Sequence, residues 1–231
     1  MELTIFWFRR DLRLEDNAGL YRALSKNKNV QPIFIFDTSI LSRLENKKDK
    51  RVDFIHKAIS KLHAELNELG LNLWVEIGEP LDVYKRLMKK NKIKNVYTNH
   101  DYEPYAIVRD NAIEEFLKAN KVTFHSYKDQ CVFEKNEVLK DDGKPYTIFT
   151  PYSKKWKQKL NDFYSSSYPN KKYYANFNQE AIKPIPDMKT IGFEKTDISI
   201  DPPKIDKNLV IHYKETRDFP AVKGTSRLSM H

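Results

Sequence analysis

Five short strand-like runs, spaced so that helical stretches fit between them, constrain this chain more than anything else in it. Leu3–Phe8, Val30–Phe36, Leu73–Ile77, Asn95–Thr98 and Val122–Ser126 are apolar or rich in β-branched and aromatic residues. A helix is predicted from about Arg51 to Leu69, with Ile55, Ile59, Leu62, Leu66 and Leu69 at helical spacing on an inward face and Gly70 as its stop. A second runs from Pro80 through Met88. A third spans about Ala106 to Asn120, with Ile113, Phe116 and Leu117 turned inward. Strands alternating with helices pair in parallel through right-handed crossovers. The predicted fold class is therefore α/β: a doubly wound, mainly parallel five-stranded Rossmann-like sheet over residues 1–130.

The pattern breaks at Cys131. Asp141-Asp142-Gly143-Lys144-Pro145 reads as a turn and Pro151–Leu160 as a short basic helix. From Ser165 to Lys207 the chain is irregular, with prolines at Pro169, Pro184, Pro186, Pro202 and Pro203. Residues 131–207 are expected to form a connector, and residues 208–231 to open a separate domain.

Composition narrows the function classes. With 41 basic and 32 acidic side chains the formal charge is +9, which suits a polyanionic partner and equally suits plain solubility. The single cysteine, Cys131, excludes an internal disulfide, fits a reducing compartment and reads foremost as a small buried hydrophobe. No run reaches the length of a membrane span, and Leu3–Phe8 is too short for a signal segment, so a soluble cytoplasmic protein is expected.

Ligands of open parallel sheets bind at the carboxyl ends of the strands. The first such end here, Arg9 to Asn17, holds three arginines and three acids, a set that either locks into a rigid network or holds an anion. It contains no G-x-G-x-x-G and no Walker loop, and the chain has only six glycines, which argues against an NAD or P-loop site. The histidines give no metal site: His56 and His63 share a helix face but stand about 10.5 Å apart in rise. Pro151-Tyr152-Ser153-Lys154-Lys155-Trp156-Lys157-Gln158-Lys159 mixes lysines with aromatics, either as a nucleic-acid surface or with Trp156 anchoring a helix to the core. Lys85, Arg86, Lys89, Lys90, Lys92 and Lys94, around the end of the second helix, read as a solvated face. At the other end, Gly224-Thr225-Ser226-Arg227-Leu228-Ser229 gathers hydroxyls where a helix begins, a place that attracts anions.

Two long motifs go further. Trp7-Phe8-Arg9-Arg10-Asp11-Leu12-Arg13-Leu14-Glu15-Asp16-Asn17 and Tyr213-x-x-x-Arg217-Asp218-Phe219-Pro220-Ala221-Val222-x-Gly224-Thr225-Ser226-Arg227-Leu228-Ser229 resemble the photolyase/cryptochrome family, with Phe149-Thr150-Pro151-Tyr152 matching between them. The resemblance runs over the whole chain and over about the first half of a family member, and its wording is nearest to bacterial dimer-repair members.

The resemblance implies an α/β domain that can host a light-harvesting antenna, a connector, and the start of an all-helical domain that binds FAD. In family enzymes the excited, reduced flavin lends an electron to a cyclobutane pyrimidine dimer, the ring splits and the electron returns. Residue by residue, Tyr213, Thr225, Ser226, Arg227, Leu228 and Ser229 fall where the family contacts FAD, and Arg217 where it contacts DNA. Damaged DNA is the implied partner, with no membrane and no protein partner inferred. No catalytic residue and no metal ligand is assigned in these 231 residues, which are expected to be an N-terminal fragment inactive alone. Tyr105 and Ala106 stand where folate-antenna members carry an Asn-Glu pair. That departure counts against folate and leaves a deazaflavin, a flavin or no antenna open. A cryptochrome-like blue-light photoreceptor and a non-catalytic nucleotide- or antenna-binding α/β module are the alternatives.

Overall fold

The first strand is apolar on both faces, and such a strand is stable only in the middle of a covered parallel sheet. The computed structural model, which describes residues 2–199 and 205–222, places it there. In chain order the elements are β1 (Glu2–Phe8), α1 (Ala18–Lys26), β2 (Val30–Asp37), a single turn α2 (Thr38–Leu41), α3 (Lys50–Glu68), β3 (Trp74–Gly78), α4 (Pro80–Lys90), β4 (Lys92–Asn99), α5 (Pro104–Ala119), β5 (Thr123–Tyr127) and α6 (Phe149–Lys159). The five strands pair in parallel in the order β3-β2-β1-β4-β5. Strand order therefore reverses between β1 and β4.

Alternation along the central strands builds two cores. Phe6, Phe8, Phe34 and Phe36 face Leu20, Leu24, Ile59, Leu62 and Leu66 of α1 and α3. Ile5, Trp7, Ile33 and Ile35 face Val83, Tyr84, Leu87, Ile113 and Leu117 of α4 and α5. Helices on both faces make the sheet doubly wound, as predicted. The inward face of α3 is Val52, Ile59, Leu62 and Leu66, and Gly70 at φ +71° follows it as the expected stop. Ile55 shares that face yet is 37% exposed, because the first turns of α3 overhang open space above the sheet. Leu69, the C-cap, lies beyond the last turn and is 48% exposed.

The proline-bearing stretch after α6 returns to the sheet. Asn178 donates its backbone N–H to Val30 O, and Val30 and Phe177 form a parallel bridge. Phe177, Met188, Ile191 and Phe193 are buried with the α1/α3 core. His56 and His63 each bond a carbonyl of this stretch through Nε2, those of Pro186 and Lys183, both at 2.9 Å. The Asp53 carboxylate receives both the N–H and the hydroxyl of Thr196. The first compact unit accordingly runs to Thr196, and in a second, Asp197–His231, the described residues include two short helices, Lys207–Ile211 and Tyr213–Thr216.

Candidate functional site

At the reversal between β1 and β4, the place where a doubly wound sheet normally cradles a phosphate on the N-terminus of α1, the protein has closed the site itself. Every N–H of the first turn has an internal acceptor. Ala18 N–H goes to Asp129 Oδ1 at 2.9 Å, Gly19 N–H to Asn99 Oδ1 at 2.8 Å, and Leu20 N–H to the N-cap Asn17 Oδ1 at 3.1 Å. Tyr21 N–H completes the turn on Asn17 O. A carboxylate and two amides thus occupy the positive end of the helix.

The charged turn after β1 resolves into a network. Arg9 pairs with Asp110 at 2.6 Å, Arg10 with Asp101 at 3.3 Å and Glu103 at 2.5 Å, and Arg13 with Asp129 at 2.8 Å. Asp11 is buried and accepts Arg9 N–H, Asn17 Nδ2 and Asn99 Nδ2. The hollow among these groups measures only about 70 Å³, well below the few hundred Å³ of a small-molecule site. Of the two readings open for Arg9 to Asn17, the rigid network is the one found.

A ligand-sized cleft opens one strand over, above the carboxyl ends of β1 and β2. It encloses about 660 Å³, within the range of small-molecule sites. Phe34, Ile35, Phe36, Ile40, Leu41 and Ile55 give it apolar walls, Trp7, Asp37, Tyr105 and Arg109 line it too, and the charged Arg9, Arg10, Arg51, Asp101 and Glu103 also belong to the lining. Tyr105 donates its hydroxyl to Asp37 Oδ2 at 2.8 Å, and Arg109 Nη1 stands 3.8 Å from the same oxygen. Burial and the neighbouring Asp37 carboxylate raise the Tyr105 hydroxyl above its ordinary pKa, so it stays a donor. The guanidiniums of Arg9 and Arg109 lie 5.0 and 4.8 Å from the Trp7 ring, the geometry of cation–π contact. The cleft therefore offers apolar walls together with a carboxylate, a phenol and a guanidinium.

The other residues singled out in the sequence are more scattered. Tyr213 and Arg217 stand one helical turn apart, joined by an Arg217 N–H to Tyr213 O bond of 2.9 Å, and Tyr213 is half exposed. Thr225, Ser226, Arg227, Leu228 and Ser229 lie outside the described residues. Trp156 packs edge-on against the buried Phe133 at 5.5 Å, so it anchors α6. Cys131 is exposed, contrary to the buried hydrophobe expected, because the chain leaves the sheet after β5 before reaching it. Among the described residues no group of three His, Cys, Asp or Glu side chains is placed to hold a metal ion, and no helix is long and apolar enough to cross a membrane. Asp37, Arg109, Asn99 and Asp129 were not singled out beforehand. For Asp37 a signal existed: it directly follows the second strand-like run, at a carboxyl end where such folds place ligand-contacting acids.

Strand order, parallel pairing and helices on both faces define a doubly wound, Rossmann-like α/β domain with a ligand-sized cleft at its carboxyl edge. The DNA photolyase family model matches residues 4–172, and the chain belongs to that family. It is 27% identical over 241 residues to the deoxyribodipyrimidine photo-lyase of Alkalihalophilus pseudofirmus, covering 98% of this chain and 50% of that protein. It is 30% identical over 153 residues to Cryptochrome-2 of Arabidopsis thaliana, covering 66% of this chain and 25% of that one. Among solved structures, the photolyase of Sulfolobus tokodaii, crystallised with two FAD molecules and described as implicating a novel light-harvesting cofactor, is similar at TM-score 0.68 and 26% identity. That match covers 98% of this chain and 50% of the other. The chain spans about half the length of the curated photo-lyases it matches.

Proposed function

We propose that this chain supplies the light-collecting α/β domain of a flavin-dependent DNA photolyase that repairs cyclobutane pyrimidine dimers. The observation that carries the reading is the cleft above β1 and β2: it has apolar walls, a joined group of Asp37, Tyr105 and Arg109, and a volume that suits one heterocyclic chromophore. A chromophore bound there would absorb light and pass the excitation on. The chain's own residues would enclose it between Ile40, Ile55 and the strand ends, and orient it from Asp37, Tyr105 and Arg109. Tyr105 and Ala106 replace the pair expected for folate, so a flavin or deazaflavin is favoured.

The catalytic FAD belongs, in this reading, to a helical domain beginning at residues 208–231, with residues 131–207 leading to it. Tyr213, Thr225, Ser226, Arg227, Leu228 and Ser229 would form the first edge of its site, and Arg217 would meet a DNA phosphate. In support, Tyr213 and Arg217 sit one turn apart on one short helix. The damaged duplex is the partner, and the exposed thiol of Cys131 suits the reducing cytoplasm. The similarity to Cryptochrome-2 keeps a photoreceptor as the second reading. The test is repair of a dimer-containing oligonucleotide by the intact protein under blue light and in the dark. Light-dependent restoration of the pyrimidines is expected. A bound, reducible flavin with no repair would favour the photoreceptor.

A further inference from the structure

A separate cleft lies at the opposite, amino edge of the sheet, beside the start of β3, and shares no residue with the one above β1 and β2. It measures about 280 Å³, close to the lower bound of small-molecule sites, so its ligand is small. Three elements frame it. Asn72 to Glu76 lie at the start of β3, Leu87, Lys90 and Asn91 at the carboxyl end of α4, and Glu180, Lys183 and Pro184 on the returning stretch.

Asn72 supplies the feature that calls for a ligand. It is 1% exposed, yet its Nδ2 has no hydrogen-bond acceptor among the described residues. The rest of the residue is fixed: Oδ1 accepts Lys183 N–H at 3.2 Å, and the backbone O accepts Gln31 Nε2 at 2.8 Å. Turning the amide over would set its nitrogen against the Lys183 N–H, donor against donor. A buried donor left without an acceptor is costly.

The surrounding charges decide what kind of acceptor fits. The carboxylates are already engaged: Glu180 receives Trp74 Nε1 at 2.7 Å and Lys183 Nζ at 2.6 Å, and Glu76 receives Arg86 at 3.1 Å. Lys90 is exposed and has no carboxylate partner among the described residues. With Lys89 it offsets the negative end of the α4 dipole. The donors left over are Asn72 Nδ2 and the charged Lys90 Nζ, whereas a cationic ligand would have to displace Lys183 or Arg86. Leu73, Val75, Leu87 and Pro184 add apolar surface, and the Glu180 bond fixes the Trp74 indole as a flat one.

We propose that this cleft binds a small aromatic carboxylate, with Asn72 Nδ2 and Lys90 as the donors that recognise the anion and Trp74 beside the ring. Occupancy of this site does not depend on a chromophore in the other cleft.

Benzoate, benzyl alcohol and benzylamine share a ring and differ in the group it carries. Each is titrated at millimolar concentration into the isotope-labelled chain, and chemical shifts are followed at the Trp74 indole N–H and the Asn72 side-chain amide. Benzoate is expected to saturate both signals, and the other two to bind at least about fivefold more weakly. Lys90→Glu, a change at an exposed position, should weaken benzoate at least about fivefold and leave benzyl alcohol unchanged. Asn72→Asp, which keeps the acceptor for Lys183 N–H and removes the donor, should abolish the preference for benzoate. Lys90→Glu carries the test where Asn72→Asp does not fold. Equal binding of the three compounds, a preference for benzylamine, or a benzoate response unaltered in Lys90→Glu overturns the proposal. So does the absence of any shift at Trp74 and Asn72, which would leave the Asn72 amide to an ordered water.

Discussion

Asn99 Oδ1 accepts the backbone N–H of Gly19 at 2.8 Å, and this bond closes the position where a sheet of this order would hold a phosphate. Asn99 ends β4 and Gly19 opens α1, so the bond spans the reversal point of the sheet. A side chain at residue 19 would not fit: a Cβ there would lie 2.5 Å from Asn99 Oδ1 and 3.1 Å from Thr98 O.

Gly19→Ala should therefore destabilise the domain by about 1–3 kcal/mol, through overpacking and loss of the Asn99 bond. The sign is the informative part. Glycine to alanine inside a helix ordinarily stabilises by roughly 0.5–1 kcal/mol. Urea denaturation of the two proteins decides, and an unchanged or higher midpoint would show that the contact yields without cost.

The returning stretch of chain is expected to be part of the folding unit. Phe177, Met188, Ile191 and Phe193 are 2, 2, 7 and 4% exposed, and without them the α1/α3 face of the core is uncovered. A chain ended after Gln130 should lack a cooperative unfolding transition and aggregate. One ended at Thr196 should unfold cooperatively. Cooperative unfolding of the shorter chain would return the boundary to residue 130.

Stability should fall in acid over a defined window. Hydrogen bonding to Arg51 lowers the Asp49 carboxyl from 3.8 to about 2. Asp53 is also lowered: burial opposes its charge, but bonds from Thr196 and Lys57 outweigh it. A carboxyl depressed in the folded state contributes fully above its unfolded pKa and loses that contribution as pH falls through the folded one. The urea midpoint should thus hold down to roughly pH 4, near the unfolded aspartate value, and then fall toward about pH 2, where Asp49 titrates. Asp49→Asn should make the fall shallower, and an identical acid profile in the variant would remove Asp49 from the explanation.

Most of the architecture was legible because strand and helix periods are local. Leu3–Phe8 reads as buried on both faces, and residues 52, 59, 62 and 66 repeat at the spacing that puts them against the sheet. What periodicity could not convey is where a face meets open space. Ile55 carries the same spacing as its buried neighbours and lines the cleft instead. The charged turn was visible, but its outcome depended on carboxylates far away in sequence, Asp101, Asp110 and Asp129, which only the parallel sheet brings to Arg10, Arg9 and Arg13. The same holds for Asp37 and Tyr105, 68 residues apart and joined by one hydrogen bond.

A ligand of the proposed domain is expected over β1 and β2 and not at the N-terminus of α1. Riboflavin titrations of Ile55→Asp and Asp129→Asn test it most directly, since Ile55 is a partly exposed cleft wall and Asp129 fills the α1 terminus. Ile55→Asp should weaken binding at least about tenfold, as an isolated charge is forced against the ring, while Asp129→Asn leaves it unchanged. Binding that tolerates Ile55→Asp and changes with Asp129→Asn would contradict the account and put the ligand at the reversal point.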